Sequence, residues 1–91
     1  MTVAFTDHGW EDVVYWERHD PGTHEKIRDL ISKIQRDPFR GEGKPEPGKG
    51  NLGGYWSRRI TGDHRLVYRV SETKPVPTLV IIQVRFHYHE K

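Results

Sequence analysis

The residue types needed for metal-free cleavage of a phosphodiester are all present in this chain. A carboxylate, Glu46, stands in the run Lys-Pro-Glu-Pro, an imidazole, His87, lies near the C-terminal end, and several arginines fall between them. Of the carboxylate and the imidazole, one removes a proton from a ribose 2′-hydroxyl and the other returns a proton to the departing 5′-oxygen. Cations then stabilise the charge that gathers on the phosphorus. Arg65 suits that task best, central on an expected strand and opposite Arg59 across a hairpin, while Lys44 and Lys49 flank the glutamate. A lone histidine or loop glutamate usually has no chemical role, so a second account stays open: a non-catalytic module whose arginines bind RNA or a regulatory partner. His87 and His89 are two apart, a spacing that suits a metal, but no further ligand cluster completes a site, and neither metal nor other cofactor is expected.

The stretch from Gly53 to Val70 must position these groups. It reads as two strands joined by a turn at Thr61-Gly62-Asp63. Successive side chains of a strand point to opposite faces. Trp56, Arg58, Ile60, His64, Leu66, Tyr68 and Val70 are therefore expected toward a core, and Tyr55, Ser57, Arg59, Arg65, Val67 and Arg69 away from it. In the last run, Leu79 to Tyr88, the same sorting places Val80, Ile82, Val84 and Phe86 inside and Leu79, Ile81, Gln83, Arg85 and His87 outside. The outer face then carries Arg59, Arg65, Arg69 and Arg85 with no acidic residue at a strand position. Clustered guanidiniums repel one another unless an anion lies between them, and their planar fork matches phosphate.

Upstream, Thr2 to Phe5 is β-prone. Thr6 or Asp7 can cap a first helix whose Trp10, Val13 and Val14 share one face, with Gly9 a weak point in its first turn. Asp20 and Pro21 open a second helix, in which Ile27, Leu30, Ile31 and Ile34 repeat at helical spacing up to Asp37-Pro38. From Phe39 to Gly54 glycine and proline dominate, and Leu52 is the one aliphatic available as an anchor. A loop this long in a small domain is either a flexible connection or a functional element. Prolines on both sides of Glu46 restrict its backbone and favour the second. Ser71 to Pro77 reads as plain connection. The expected fold class is α+β: an N-terminal strand and two helices packed on a twisted antiparallel sheet, in the order β-α-α-β-β-β.

Composition sets the outer bounds. With 91 residues, 33% of them hydrophobic, the chain is expected to form one domain over 1–91 with a small core. A net charge of +2 is a mild excess, so the placement of the arginines matters more than their sum. The absence of cysteine excludes disulfides and thiolate metal sites. No apolar run is long enough to cross a membrane and the start does not read as a signal peptide, so a cytoplasmic location is expected.

Longer motifs go further. The runs Asp-Pro-Phe-Arg-Gly-Glu-Gly-Lys-Pro-Glu-Pro (37–47), Asn-Leu-Gly-Gly-Tyr-Trp-Ser-Arg-Arg-Ile-Thr (51–61) and His-Arg-Leu-Val-Tyr (64–68), with His87-Tyr88, resemble the YoeB toxins, the Txe/YoeB family of the RelE superfamily. The resemblance spans nearly the whole chain. It implies a fold like that of small microbial ribonucleases and a toxin of a type II toxin-antitoxin system, an endoribonuclease that cleaves mRNA in the ribosomal A site and so inhibits translation. It also implies a YefM-type antitoxin that wraps over the toxin, operator DNA reached through that complex, and a homodimer as a compatible state. Carried over by position, Glu46 becomes the general base, His87 the general acid and Arg65 the phosphate-stabilising cation. Tyr88 joins the catalytic group, and Lys49 and Arg59 support the substrate. The chain departs from the family in a longer loop around Pro75 and Pro77 and in three residues, His89, Glu90 and Lys91, after the His-Tyr pair. The enzyme and the binding module separate on Glu46→Ala and His87→Gln. The enzyme loses RNA cleavage and keeps most of its RNA binding, whereas a pure binding module is unchanged in a filter-binding assay and has no cleavage to lose.

Overall fold

The computed structural model describes residues 1–48 and 53–86. Its elements are β1 (Thr2–Phe5), α1 (Asp7–His19), α2 (Pro21–Arg36), β2 (Glu46–Pro47), β3 (Trp56–Thr61), β4 (His64–Ser71) and β5 (Thr78–Gln83). The strands form one sheet in the order β1-β5-β4-β3-β2. The α+β class is as expected, with two refinements. The sheet is mixed, because β1 runs parallel to β5; the rest of the chain separates this pair, so no tight turn imposes opposite directions. In addition, the glycine- and proline-rich stretch contributes the short strand β2.

Both helix starts follow the capping chemistry of the sequence. Thr6 Oγ1 accepts the N–H of Gly9 at 3.1 Å. The Asp20 carboxylate accepts the N–H of Thr23 at 3.1 Å and its hydroxyl at 2.8 Å; these bonds hold the Asp20 carboxyl below its ordinary pKa. On α2, Ile27, Leu30 and Ile34 are buried as their spacing predicts. On α1 the fully buried residues are Gly9, Asp12 and Trp16, while Trp10, Val13 and Val14 share a face as expected and line a cleft with Ile27 and Ile31 of α2, Val13 packing against the core. Trp10 is 55% exposed, and its ring meets Phe5 edge-on at the rim of the sheet. The cause is Gly9. It lies so close to β5 that a Cβ there would stand 2.5 Å from the Ile81 carbonyl oxygen, and this contact turns α1 until Asp12 and Trp16 face the sheet.

The core joins Trp16, Ile27, Leu30 and Ile34 of the helices to Ile60, Leu66, Tyr68, Leu79 and Ile81 of the sheet, with Val84 just beyond β5. On β3 and β4 the inward set matches the alternation read from the sequence. On β5 the sides are exchanged. Ile81 lies opposite Tyr68 and Leu79 opposite Val70, so both face the helices, while Val80 lies opposite Arg69 on the other side. A bulge follows, in which Ile82 is the extra residue between the Tyr68–Ile81 and Val67–Gln83 pairs. Beyond it Val84 is buried and Phe86 is 55% exposed rather than inside. Arg85 also leaves the arginine face: its guanidinium lies 3.5 Å from the centroid of Tyr15 on α1.

Gly9→Ala forces a methyl group against the β5 backbone. It is expected to cost about 1–3 kcal/mol, lowering the melting temperature by roughly 5–20 °C; an unchanged thermal melt would show that α1 is free to lift.

Candidate active site

The face of the sheet opposite the helices is organised by strand register. Glu46 pairs with Ser57, Ser57 with Val67 and Val67 with Gln83, so these four residues form one row across β2, β3, β4 and β5. Arg59 and Arg65 pair in the next row of β3 and β4. The arginine face therefore does carry an acid at a strand position. Glu46 owes its direction to its pairing in β2 as well as to its flanking prolines.

Arg65 is locked in place. Its Nε donates to Ser57 Oγ at 2.9 Å, and its Nη2 donates to the Ser57 carbonyl at 3.1 Å and the Lys44 carbonyl at 3.3 Å. Among the described residues Nη1 carries no hydrogen bond. Glu46 Oε2 stands 3.8 Å from Arg65 Nη2, with the Glu46 side chain 66% exposed and that of Arg65 only 13% exposed. At that distance the pair attracts without a hydrogen bond. Among the described residues the carboxylate keeps its lone pairs, and the guanidinium keeps Nη1 without a hydrogen bond. Such an arrangement can accept a proton on one side and bind an anion on the other.

The stretch between α2 and β2 is held from below. Arg58, fully buried, donates from Nε to Tyr68 Oη at 3.2 Å, from Nη1 to the Glu42 carbonyl at 3.2 Å, and from Nη2 to the Asp37 carbonyl. The Tyr68 hydroxyl donates in turn to the Pro38 carbonyl, and burial raises the Tyr68 pKa. Above them, the N–H of Arg59 donates to the Gly43 carbonyl at 2.8 Å. Gly43 has φ +87, and a Cβ there would meet Arg58 and the Arg59 carbonyl at 3.0 Å, so glycine is required. Lys33 Nζ donates to Glu42 at 2.9 Å and lies 3.0 Å from Asp29, contacts that raise the lysine pKa. The Phe39 ring lies 4.9 Å from that of Trp56.

Of the residues singled out from the sequence, Glu46, Arg65 and Arg59 come together. Lys44 is exposed, has φ 51, and helps most visibly through its carbonyl. Arg69 is on the same face but four residues along β4 from Arg65, about 13 Å, and its Nη1 donates to Ser71 Oγ at 3.1 Å. His87, Tyr88 and Lys49 lie outside the described residues, as do Leu52 and His89. Among the described residues no group of three or more His, Cys, Asp or Glu side chains is placed to hold a metal.

Sequence reasoning missed the supports. Ser57 gave no signal, being one serine among strand residues. Arg58 did give one, as a charge in an otherwise apolar row. Asp12 and Trp16 clamp the chain beyond β5: Trp16 Nε1 donates to the Val84 carbonyl at 2.7 Å, and the Val84 N–H donates to Asp12 Oδ2 at 3.1 Å. Burial raises the Asp12 pKa, while that N–H, His8 and Arg85 act against the rise.

Two helices on one side of a small mixed sheet, with a carboxylate facing a locked guanidinium on the other, define a small α+β protein with an open, arginine-bearing face. Residues 5–88 match the family model of the YoeB-like toxin of bacterial type II toxin-antitoxin systems. The toxin YoeB of Streptomyces coelicolor is 53% identical over 88 residues, covering 97% of this chain and 100% of that protein. A YoeB/ParE toxin from Agrobacterium tumefaciens superposes with a TM-score of 0.91 at 52% identity, covering 97% and 100% of the two chains. Staphylococcus aureus YoeB has been solved as a dimer and in a heterotetrameric YoeB-YefM toxin-antitoxin complex. Both structures are 37% identical over 97% of this chain and 98% of theirs, with TM-scores of 0.85 and 0.83. The chain belongs to the YoeB-like toxins of type II toxin-antitoxin systems.

Asp12 gives the fold a pH dependence of defined sign. Its folded pKa is raised above 3.8, so its contribution to stability is fully present below the unfolded value and is lost as pH rises through the folded one. Asp12→Asn keeps an acceptor for Val84 and removes the titration. The melting temperature of the variant minus that of the unmodified protein is expected to grow as pH rises above 3.8; a difference that stays constant as pH rises contradicts this account.

Proposed function

We propose that this toxin is a ribosome-dependent endoribonuclease that cleaves mRNA in the ribosomal A site by metal-free general acid-base catalysis. The observation that carries the reading is the Glu46 carboxylate, exposed and free of hydrogen bonding to Arg65, standing 3.8 Å from a guanidinium already locked by Ser57 and Lys44. Glu46 takes the proton of a ribose 2′-hydroxyl, and the 2′-oxygen attacks the adjacent phosphorus. The bond to the 5′-oxygen breaks as His87 gives that oxygen a proton, leaving a 2′,3′-cyclic phosphate and a 5′-hydroxyl. Arg65 meets the charge that builds on the phosphorane oxygens, and because it is fixed beforehand it need not reorganise during the reaction. Tyr88 acts beside His87, and Lys44, Lys49, Arg59 and Arg69 hold the RNA backbone.

Family membership supports the remaining parts. The complex of the Staphylococcus aureus relative with YefM supports a YefM-type antitoxin as the partner, and its dimer supports self-association. Operator DNA is bound through the toxin-antitoxin complex rather than by the toxin alone. Among the described residues no helix is long and apolar enough to cross a membrane.

Dependence on the ribosome follows from the openness of the site. Glu46 lies on an exposed sheet face, and nothing described encloses an RNA strand, so alignment of the 2′-hydroxyl has to come largely from the environment that presents the mRNA. Primer extension on an mRNA translated in vitro is expected to show new 5′ ends at the A-site codon when ribosomes are present and far fewer on naked RNA. Glu46→Ala lowers the rate by about 10²–10⁴-fold and Arg65→Ala by about 10²–10³-fold. Equal rates on naked and ribosome-bound RNA would overturn the ribosome-dependent reading, and full activity of Glu46→Ala would move the base elsewhere.

A further inference from the structure

On the open face the cations do not end at Arg65. Arg69 stands on the same side of β4, about 13 Å further along the strand. Its Nη1 donates to Ser71 Oγ at 3.1 Å, and among the described residues its guanidinium has no carboxylate partner. Glu46, the acid of this face, lies on β2, two strands away from β4. The floor around Arg69 is apolar. Val67 lies between the two arginines and is 3% exposed, and half-buried Val80 pairs with Arg69 from β5.

Tyr55 adds a ring to this neighbourhood. Its carbonyl accepts the Gly48 N–H at 2.6 Å, which carries the β2–β3 ladder one residue past the Pro47–Trp56 pair. Trp56 packs against the core, so strand alternation sends the Tyr55 side chain to the open face. Trp56 also pairs with Tyr68, and the next step of that register sets Tyr55 beside Arg69. Among the described residues the Tyr55 hydroxyl carries no hydrogen bond.

We propose that Tyr55 and Arg69 form an outer nucleotide subsite: the single strand whose scissile phosphate lies at Arg65 runs on over Val67, a neighbouring phosphate meeting Arg69 and a base stacking on Tyr55. The inference rests on the nuclease reading above. A single phosphate cannot span two cations about 13 Å apart on one strand, so neutralising Arg69 takes a second anion. A polynucleotide supplies anions in series, and it supplies a flat base for each. A cation beside an aromatic ring on an apolar floor is the combination by which proteins hold single strands, the charge tracking the backbone and the ring taking a base. The column Arg65-Val67-Arg69 is continuous with the candidate active site and carries no acid.

Oligodeoxyuridylates lack the 2′-hydroxyl and therefore bind without being cleaved. A dinucleotide, with a single internucleotide phosphate, occupies one cation, whereas a hexanucleotide reaches both. In titrations of the free protein, Tyr55→Leu is expected to weaken hexanucleotide binding by roughly 5- to 150-fold, the loss of one base stack, without changing the dependence of affinity on salt. Arg69→Ala should lower the slope of log affinity against log salt by about 0.7, the mark of one lost phosphate contact on a single strand. Arg69→Lys should keep that slope, and neither Tyr55→Leu nor Arg69→Ala should alter dinucleotide binding. Arg28→Ala, which removes one exposed charge from α2 on the helix side, should leave both oligonucleotides unaffected.

Hexanucleotide affinity and salt slope unchanged in Tyr55→Leu and Arg69→Ala overturn the proposal. So does an equal loss on the dinucleotide, which a disturbed fold produces, or an equal change of slope in Arg28→Ala, which assigns the effect to net charge. Weakened capture of a YefM-type antitoxin by Arg69→Ala, with hexanucleotide binding intact, gives this part of the face to a protein partner instead. Primer extension keeps the two readings apart. Absence of A-site cleavage beside the expected titrations removes the nuclease and leaves the nucleotide subsite; cleavage beside unchanged hexanucleotide binding removes the subsite alone.

Discussion

A guanidinium taken wholly out of water is costly unless each of its nitrogens finds an acceptor. Arg58 meets that demand with the carbonyls of Asp37 and Glu42 and the hydroxyl of Tyr68. The stretch after α2 is thereby tied to the charge beneath it, since lifting the stretch away would strand a buried cation. The ties then run in sequence: Gly43 bonds to Arg59, the Lys44 carbonyl holds Arg65, and Glu46 enters the sheet against Ser57. The open face owes its geometry to a charge on the opposite face.

Much of this was legible in the residues. Alternation on β3 and β4 assigned Arg59 and Arg65 to one side and Leu66 and Tyr68 to the other, because a hairpin with a short turn leaves little freedom of register. Caps at Thr6 and Asp20 and the apolar repeat of α2 were equally readable, each being a local interaction. What failed was non-local. The sides of β5 depend on which strand it joins and on the bulge at Ile82. The rotation of α1 depends on how closely Gly9 approaches Ile81, a residue far away in the chain. Glu46 looked like a loop residue because a strand of two residues has no periodicity to detect. Arg58 could have been suspected, since a charged residue at an inward position needs partners, but which carbonyls it would bind was not in the pattern.

The two halves of the face are built differently. Glu46, Ser57 and Arg65 come from strands adjacent in both sequence and space. Their arrangement is set by ladder register and by one guanidinium whose hydrogen bonds are nearly all internal. The approach to His87 is set instead by elements remote in sequence: Asp12 and Trp16 from α1 on Val84, Tyr15 beneath Arg85, and His64 and Arg65 on Phe86. Backbone groups receive most of these contacts, so the side chains at 85 and 86 can differ among relatives while the path of the chain is kept.

The parallel pairing of Thr2–Phe5 with Thr78–Ile81 also bears on how the molecule is made. Among the described residues β1 lies at the edge of the sheet with β5 as its strand neighbour, yet β1 precedes the other described strands in the chain and β5 follows them. While the chain is growing, the β3-β4 hairpin can pair at once, but β1 waits unpaired, and α1 lacks the Ile81 carbonyl and the Val84 peptide on which it packs. Contacts of such long sequence separation form late because their loop-closure entropy must be met first. The described sheet therefore closes around β5, and a nascent chain cannot complete it until β5 has been translated.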